Sequence, residues 1–364
     1  MSSESTVKMI QAYFQDAAPV RFFSGLFRSA RENFFNSKEV EIDIVRGEED
    51  VAVAVHDLSA GYRSNEATSY VNKSFVPPIF KESVALDSNQ LMDRLPSNTP
   101  FDDPSFKASI MSHFFRGMRK IEDKISRAIE LQASQVMQTG AATLVDYGGN
   151  SVYTIDYQPK ASHFPTAGTA WSGAADIKAD LKALCNVIRN DGLSDPNVSY
   201  WGEDAYDAAL ANTAFKDAFE VRRIDTGSIM PMAMGGTSGA NFRGTIDLGN
   251  FKLEIWTYGA RYKHPQTGVV TQYLDPAKVI VMDSSARFDA LYGGVPHIGR
   301  ELGMSGQSIL GGMPRRFSST EKGRDLFTNV WLTDDKEQLF GGVASRPLMV
   351  PTAIDRYGCI STGV

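Results

Sequence analysis

DPSFKASIMSHFFRGMRKIEDKISRAIELQASQVMQTG, residues 103–140, is the stretch on which the fold turns. Phe106, Ile110, Phe114, Met118, Ile121, Ile125, Ile129, Ala133 and Val136 recur three or four apart, so one face of a helix is apolar along its whole length. Asp103 is a good N-cap, Pro104 occupies the first helical position where no N–H is needed, and Gly140 is a natural stop. At about 1.5 Å per residue, a helix over about 104–139 is roughly 50 Å long, which exceeds the width of a compact small domain. An elongated subunit is expected.

Upstream, the period changes to two. Val40, Ile42 and Ile44 alternate with Glu41 and Asp43, and Val51, Val53 and Val55 alternate with alanines, which reads as two strands. The polar turn Arg46-Gly47-Glu48-Glu49-Asp50 between them predicts a hairpin or two strands joined by a short loop. Leu58 to Ser74 is polar and poorly periodic. Residues 1–39 carry Phe22-Phe23, Phe34-Phe35, Arg21, Arg28, Arg31 and Lys38 in a segment too short to close a core. Two readings of it stay open: an amphipathic helix on its own domain, or an arm across a neighbouring subunit. Isolated hairpins are marginal in water, so residues 1–92 imply cover from adjoining copies. Arg63, Glu66 and Tyr70 are the candidate subunit-interface residues, because their stretch has no evident core of its own.

Downstream, Thr143-Leu144-Val145 and Val152-Tyr153-Thr154-Ile155 flank the turn Tyr147-Gly148-Gly149-Asn150 and predict a hairpin. Helices are expected over about 174–190 and 203–219, then strands over 252–257 and 278–282, with a hairpin over 262–272 around Pro265-Gln266-Thr267-Gly268. Val330-Trp331-Leu332 is strand-like, and Gly341-Gly342 reads as a stop. The class is mixed α+β, without the βαβ alternation of a doubly wound sheet.

Chemistry is hard to find along the chain. His56, His113, His163, His264 and His297 are scattered with no metal spacing. Gly235 to Gly244 lacks the G-K-[ST] ending of a phosphate loop and reads as a mobile loop. Glu48-Glu49-Asp50, Asp102-Asp103 and Asp334-Asp335 fall at a turn, a helix start and a strand end, where acidic residues are ordinary. Ser284-Ser285 and Ser318-Ser319 lack a nucleophile setting. No catalytic, cofactor or metal residue is assigned. Cys185 and Cys359 are too few for a disulfide framework, which suits a reducing compartment. A net charge of -6 argues against a dedicated duplex-DNA reader but suits a wall that encloses a polyanion without gripping it. No signal peptide and no membrane span are expected.

The order of elements, with several local stretches, resembles the tailed-phage capsid fold, HK-ninety-seven-like, and within it the lambda-type major capsid protein E family. Phe22 to Phe35 looks like the family's aromatic and basic arm, and Arg94-Leu95-Pro96 is similar to the motif before its long helix. Thr169-Ala170-Trp171-Ser172 with Ala174-Ala175-Asp176-Ile177, Tyr273-Leu274-Asp275-Pro276 ahead of Val279-Ile280-Val281, and Ala344-Ser345-Arg346-Pro347-Leu348-Met349 carry the rest of the likeness.

The resemblance implies an N-terminal arm (1–39) and an extended loop (40–92) lying over the adjacent subunit. It also implies a peripheral domain (93–169 and 319–364) built on a spine helix, and an axial domain (170–318). A shell subunit follows, forming hexamers and pentamers with itself. A scaffolding protein, a portal protein, a decoration protein and packaged double-stranded DNA without sequence-specific contacts are its expected partners. With about 40 residues ahead of the extended loop, the scaffolding protein is expected to be separate. The expected location is the virion, after assembly in the host bacterial cytoplasm. The rivals are an encapsulin-like compartment shell, a soluble enzyme with an unrecognised site, and a tail-tube subunit.

Overall fold

A computed structural model describes residues 21–30, 33–35, 39–45, 70–87, 105–145, 151–172, 175–213, 215, 219–220, 239–295, 326–332 and 338–364. In chain order the elements are the helical turn α1 (Phe23–Leu26), strands β1 (Phe27–Arg28), β2 (Val40–Val45), β3 (Tyr70–Phe75) and β4 (Phe80–Asp87), and the long helix α2 (Ser105–Thr139). Next come β5 (Ala141–Val145), β6 (Ser151–Asp156), helix α3 (Ile177–Gly192), β7 (Val198–Trp201), helix α4 (Glu203–Ala211) and β8 (Phe219–Glu220). Strands β9 (Ala240–Asp247), β10 (Lys252–Tyr258), β11 (Arg261–Lys263), β12 (Val270–Gln272), β13 (Lys278–Met282) and β14 (Phe288–Tyr292) follow. Strands β15 (Phe327–Leu332), β16 (Gln338–Ser345), β17 (Pro347–Val350) and β18 (Tyr357–Ser361) complete the set.

The 35 residues of α2 make a rod of about 50 Å. Its apolar stripe serves two different partners. Phe114, Met118, Ile121 and Ile125 bury against Leu86 and Val343 of the three-stranded sheet β15-β16-β4. Ala133, Val136 and Met137 bury against Tyr200, Tyr258, Ile280, Met282 and Tyr357 of a six-stranded sheet. The second half is enclosed more fully, so polar residues there are buried and must be bonded internally. Ser134 Oγ donates to the Tyr273 carbonyl at 2.6 Å, Gln138 Nε2 donates to the same oxygen at 2.8 Å, and Gln138 Oε1 accepts from Asp275 N. Gly140 ends the helix with φ +67°, and a Cβ there would collide with Pro159. Asp103 and Pro104 lie outside the described residues, as do the side chains of Phe106 and Ile110.

The six-stranded sheet runs β18-β13-β7-β10-β9-β8, with β7 and β10 parallel and the other pairs antiparallel. Both of its faces are covered at β13, which is why that strand after Lys278 runs Val279-Ile280-Val281-Met282, all buried and apolar. Ile280 and Met282 face α2, while Val279 and Val281 face a second cluster under α3 and α4 that includes Trp171, Leu181, Leu184, Trp201 and Phe215. The closing strand β18 pairs with β13, so the chain's last segment completes the sheet.

Several expectations need correction. Strand β2 pairs with β3, Val45 opposite Tyr70, so part of the stretch read as aperiodic is a strand. Val51 to Val55 lies outside the described residues. The helix expected over about 203–219 breaks at Asn212: α4 ends at Ala211, Asn212 adopts extended backbone with its amide donating to the Ala175 carbonyl, Thr213 and Phe215 are again helical, and Phe219–Glu220 is a strand. Helix α3 starts at Ile177, where the Asp176 carboxylate accepts from Ala179 N. Gly341-Gly342 sits inside β16 and stops nothing. Of the glycine-rich stretch, Ala240 to Gly244 is strand β9, with only Gly239 among its earlier residues described. The hairpins β5-β6 and β11-β12 form as expected.

The opening segment is partly covered by its own chain. Phe23 and Phe27 are buried, and Phe22 stacks on Tyr258 with ring centres 5.0 Å apart. The expectation that residues 1–92 need neighbours for cover therefore fails for 22–27 and for β4, whose Leu86 is buried beneath α2. A short aromatic segment can be stable where it fills a gap between a sheet and a helix that already exist.

Candidate functional site

Three features of the surface combine firm anchoring to the body with exposed or outward-reaching parts. The first is the ribbon β2-β3. Its base is anchored by Val40, which is fully buried, and by Phe75, whose ring lies 5.6 Å from that of Tyr157. Ser74 Oγ donates to Glu39 Oε2 at 2.9 Å. Just beyond, the buried guanidinium of Arg346 donates to the Pro77 carbonyl at 3.2 Å and to the Gly294 carbonyl at 2.7 Å. A buried cation on carbonyl oxygens is a strong clamp, because leaving either partner unpaired is costly. The chain leaves this base through Val45 and returns through Tyr70. Tyr70 thus falls on the outer end of the ribbon, while Arg63 and Glu66 lie outside the described residues.

The second feature is the hairpin β11-β12. At its base Glu203 accepts from Arg261 Nη2 at 2.9 Å and from Gln272 Nε2 at 2.6 Å, and the Tyr262 and Tyr273 rings meet at 4.9 Å. At its tip the His264 carbonyl accepts from Gly268 N, and His264 N donates to the Val269 carbonyl. A hairpin held so firmly presents Val269 and Val270 to solvent, 59% and 62% exposed. Beside it lies a polar cleft of about 500 Å³ lined by Glu203, Tyr206, Asp207, Asn241 and Arg243. Arg243 Nε donates to Thr257 Oγ1, and its guanidinium lies over the Tyr206 ring.

The third is the outer face of the sheet β15-β16-β4, where Trp331 stacks on Phe340 at 5.5 Å and remains 42% exposed. Paired strands, stacked aromatics and clamped hairpins give rigid surfaces for protein contact.

The residues weighed for chemistry have structural work where they are described. His163 is buried, with Nδ1 2.7 Å from the Tyr357 carbonyl oxygen and Nε2 3.1 Å from Asp191 Oδ2. The Lys160 ammonium, which also pairs with Asp191 at 2.8 Å, holds that carboxyl below the ordinary aspartate range, with His163 adding to the effect. Because the folded value is depressed, this pairing stabilises the fold above the unfolded value and is lost as pH falls through the folded one. Asp191→Asn is expected to lower the unfolding temperature at neutral pH, with the deficit shrinking as wild type is acidified below the aspartate range. A deficit that stays constant in thermal scans across that range rules this account out.

Ser285 donates to Asp283 Oδ2 at 2.5 Å within a turn, and Ser284 N donates to Asn197 Oδ1. Cys185 and Cys359 sit in different clusters on opposite faces of the sheet, and burial pushes each thiol up to about 12. His56, His297, Ser318-Ser319 and the three acidic groups lie outside the described residues. Among the described residues no three His, Cys, Asp or Glu side chains converge to hold a metal ion.

Sequence reasoning missed the clamp made by Arg346 and the contribution of β18, since neither has a periodic signal. It also missed β4, although Phe80, Glu82, Val84 and Leu86 alternate with Lys81, Ser83 and Ala85 in the manner of a strand.

Compared with curated proteins, the chain finds no match. Among solved structures it resembles a prophage protein from E. coli CFT073 assigned as a capsid protein, at 15% identity and TM-score 0.60, with 96% of each chain covered. A chain of Microbacterium phage Oxtober96 aligns at 12% identity and TM-score 0.45, covering 99% of this chain and 96% of that one. The SrpI encapsulin of Synechococcus elongatus PCC 7942 aligns at 11% identity and TM-score 0.43, covering 100% and 92%. The first of these gives the tailed-phage capsid fold. The family model for phage major capsid protein E matches residues 5–357, nearly the whole sequence. On that match, the chain belongs to the phage major capsid protein E family.

Proposed function

We propose that this major capsid protein assembles with copies of itself, as hexamers and pentamers, into the icosahedral shell of a tailed bacteriophage around double-stranded DNA. The family match over residues 5–357 is the observation that carries this reading. Because the family is one of phage capsids, the compartment-shell alternative is not carried further. The role is structural, and no reaction is assigned to the chain.

In this reading residues 1–39 are an arm, 40–92 an extended loop, 93–169 with 319–364 a peripheral domain on the spine helix, and 170–318 an axial domain. The closing segment lends β18 to the axial sheet. The β2-β3 ribbon, clamped at its base and leaving the body at Val45 and Tyr70, supports a loop that reaches an adjacent subunit. Rings of both five and six require head-to-tail contacts that tolerate small changes of angle. Each contact is modest, and the closed shell is stable because all must break together. A scaffolding protein, a portal and a decoration protein complete the proposed set of partners, with DNA held without sequence-specific contacts. Assembly is placed in the host bacterial cytoplasm and the mature protein in the virion. Among the described residues no helix is long and apolar enough to cross a membrane.

Co-expression with neighbouring genes, followed by size exclusion and negative-stain microscopy, tests the reading. Shells are expected, and stable monomers would sink it. Within the same assay Arg63→Glu or Glu66→Arg is expected to cut shell yield by about tenfold, since a lost contact recurs in every subunit. Wild-type yield from both variants removes these residues from the interface.

A further inference from the structure

One carboxylate lies at the junction of three parts of the molecule. Glu130, in the C-terminal third of α2, is fully buried. Its Oε1 accepts from Phe22 N at 3.2 Å, from Phe23 N at 2.7 Å and from the Tyr258 hydroxyl at 2.9 Å. Its Oε2 accepts from Ser24 N at 2.9 Å and from Ser24 Oγ at 2.7 Å. The backbone N–H groups at the start of α1 therefore all point at one anion on the spine helix, which in turn holds a tyrosine of strand β10.

We propose that Glu130 is the latch of the N-terminal arm: it seats the arm on the subunit's own spine and, through Tyr258, ties arm seating to the six-stranded sheet before subunits meet. The reason is chemical. Backbone N–H groups aimed at a carboxylate make short, charge-assisted bonds, stronger than neutral ones. Undocking the arm would leave a buried carboxylate short of donors, so partial docking is unfavourable and the arm is either in or out. Burial and the neighbouring Glu130 raise the Tyr258 hydroxyl far above its ordinary range, which keeps it a donor at any physiological pH.

Aromatic packing alone does not require this arrangement. Phe22 and Phe23 meet Tyr200 and Tyr258 edge-on or stacked, contacts that tolerate sliding. The carboxylate sets the register by fixing which three amides face the helix. Arg21 reinforces it, donating from Nη2 to Ser126 Oγ one turn earlier on the helix.

The latch rests on the shell reading for its biological purpose, but its test does not. Amide hydrogen exchange on unassembled full-length protein, read at Phe22, Phe23 and Ser24 and at the β13 core, compares wild type with Glu130→Gln. The neutral amide is a weaker acceptor and turns an N–H₂ towards N–H donors. Exchange at 22–24 is expected to quicken by about 10- to 100-fold while β13 keeps its protection. Should Glu130→Gln fail to fold, Ser24→Ala, which deletes only the hydroxyl bond, is expected to quicken the same amides by about threefold to tenfold. Unchanged exchange at 22–24, or equal loss of protection at β13, overturns the proposal. In the shell assay the variant is expected to assemble at a reduced rate. Full-rate assembly with a released arm overturns the link to assembly, whereas absence of shells from wild type counts against the shell reading alone.

Discussion

Trp201→Ala is expected to cost about 3–5 kcal/mol and to abolish shell formation. Trp201 has no exposed surface, and its ring centre lies 5.3 Å from that of Trp171, 5.7 Å from Phe215 and 6.4 Å from Tyr206. Its indole N–H donates to Ser199 Oγ at 2.8 Å, and that hydroxyl donates onward to the Glu254 carbonyl. Truncation removes one of the two tryptophans of the cluster under α3 and α4 and takes a donor from a buried hydroxyl. The surrounding backbone is tied on two sides, to Val279 by pairing with β13 and to Thr257 by pairing with β10, so it cannot collapse into the gap. Against a typical total of about 5–15 kcal/mol, such a loss leaves little margin. Urea unfolding followed by fluorescence of the remaining tryptophans measures it. A loss below about 1 kcal/mol means the cluster repacks and the argument is wrong.

Gly341→Val is the second large effect, with an expected cost of about 3 kcal/mol. A Cβ on Gly341 would lie 2.6 Å from Phe114 Cζ and 2.8 Å from Met118 Sδ. Both side chains are buried, so either can give way only by disturbing its own packing. The sheet β15-β16-β4 approaches the spine helix closely because glycine stands there. A similar economy holds opposite, where a Cβ on Gly117 would meet Val84 Cγ2 at 3.1 Å. The variant should push β16 off α2, uncouple the closing segment from the spine and lower shell yield in step with stability. Because the clash is steric, a compensating Phe114→Leu paired with Gly341→Ala should cost less than the two single changes added together. Strict additivity in denaturant unfolding would point to another cause.

These two residues also mark the limit of reading the chain without its fold. Trp201 sits in Val198-Ser199-Tyr200-Trp201, four residues between two helices with no alternation, because both faces of the sheet are buried there. Gly341-Gly342 looked like punctuation. In space one glycine admits the spine helix, and the other lies under the Trp331 ring, where a Cβ would come within 2.8 Å. Glycine's lack of a side chain has the same appearance in sequence whether it serves a turn or a close approach.

What the sequence alone determined was whatever is local and periodic. The length and facing of α2, its stop at Gly140, the β5-β6 and β11-β12 hairpins and the mixed α+β class all follow from residue spacing within one element. The order of those elements was enough to suggest the capsid family. Tertiary structure decided what depends on residues far apart: the pairing of β2 with β3, the return of β18 to the central sheet, the Arg346 clamp and the seating of Phe22 to Ser24 on Glu130. Each of these joins groups more than 20 positions apart. The physical reason is that a helix or hairpin reports its own preferences through neighbours along the chain. A buried charge or an apolar strand is chosen by partners that only folding brings near.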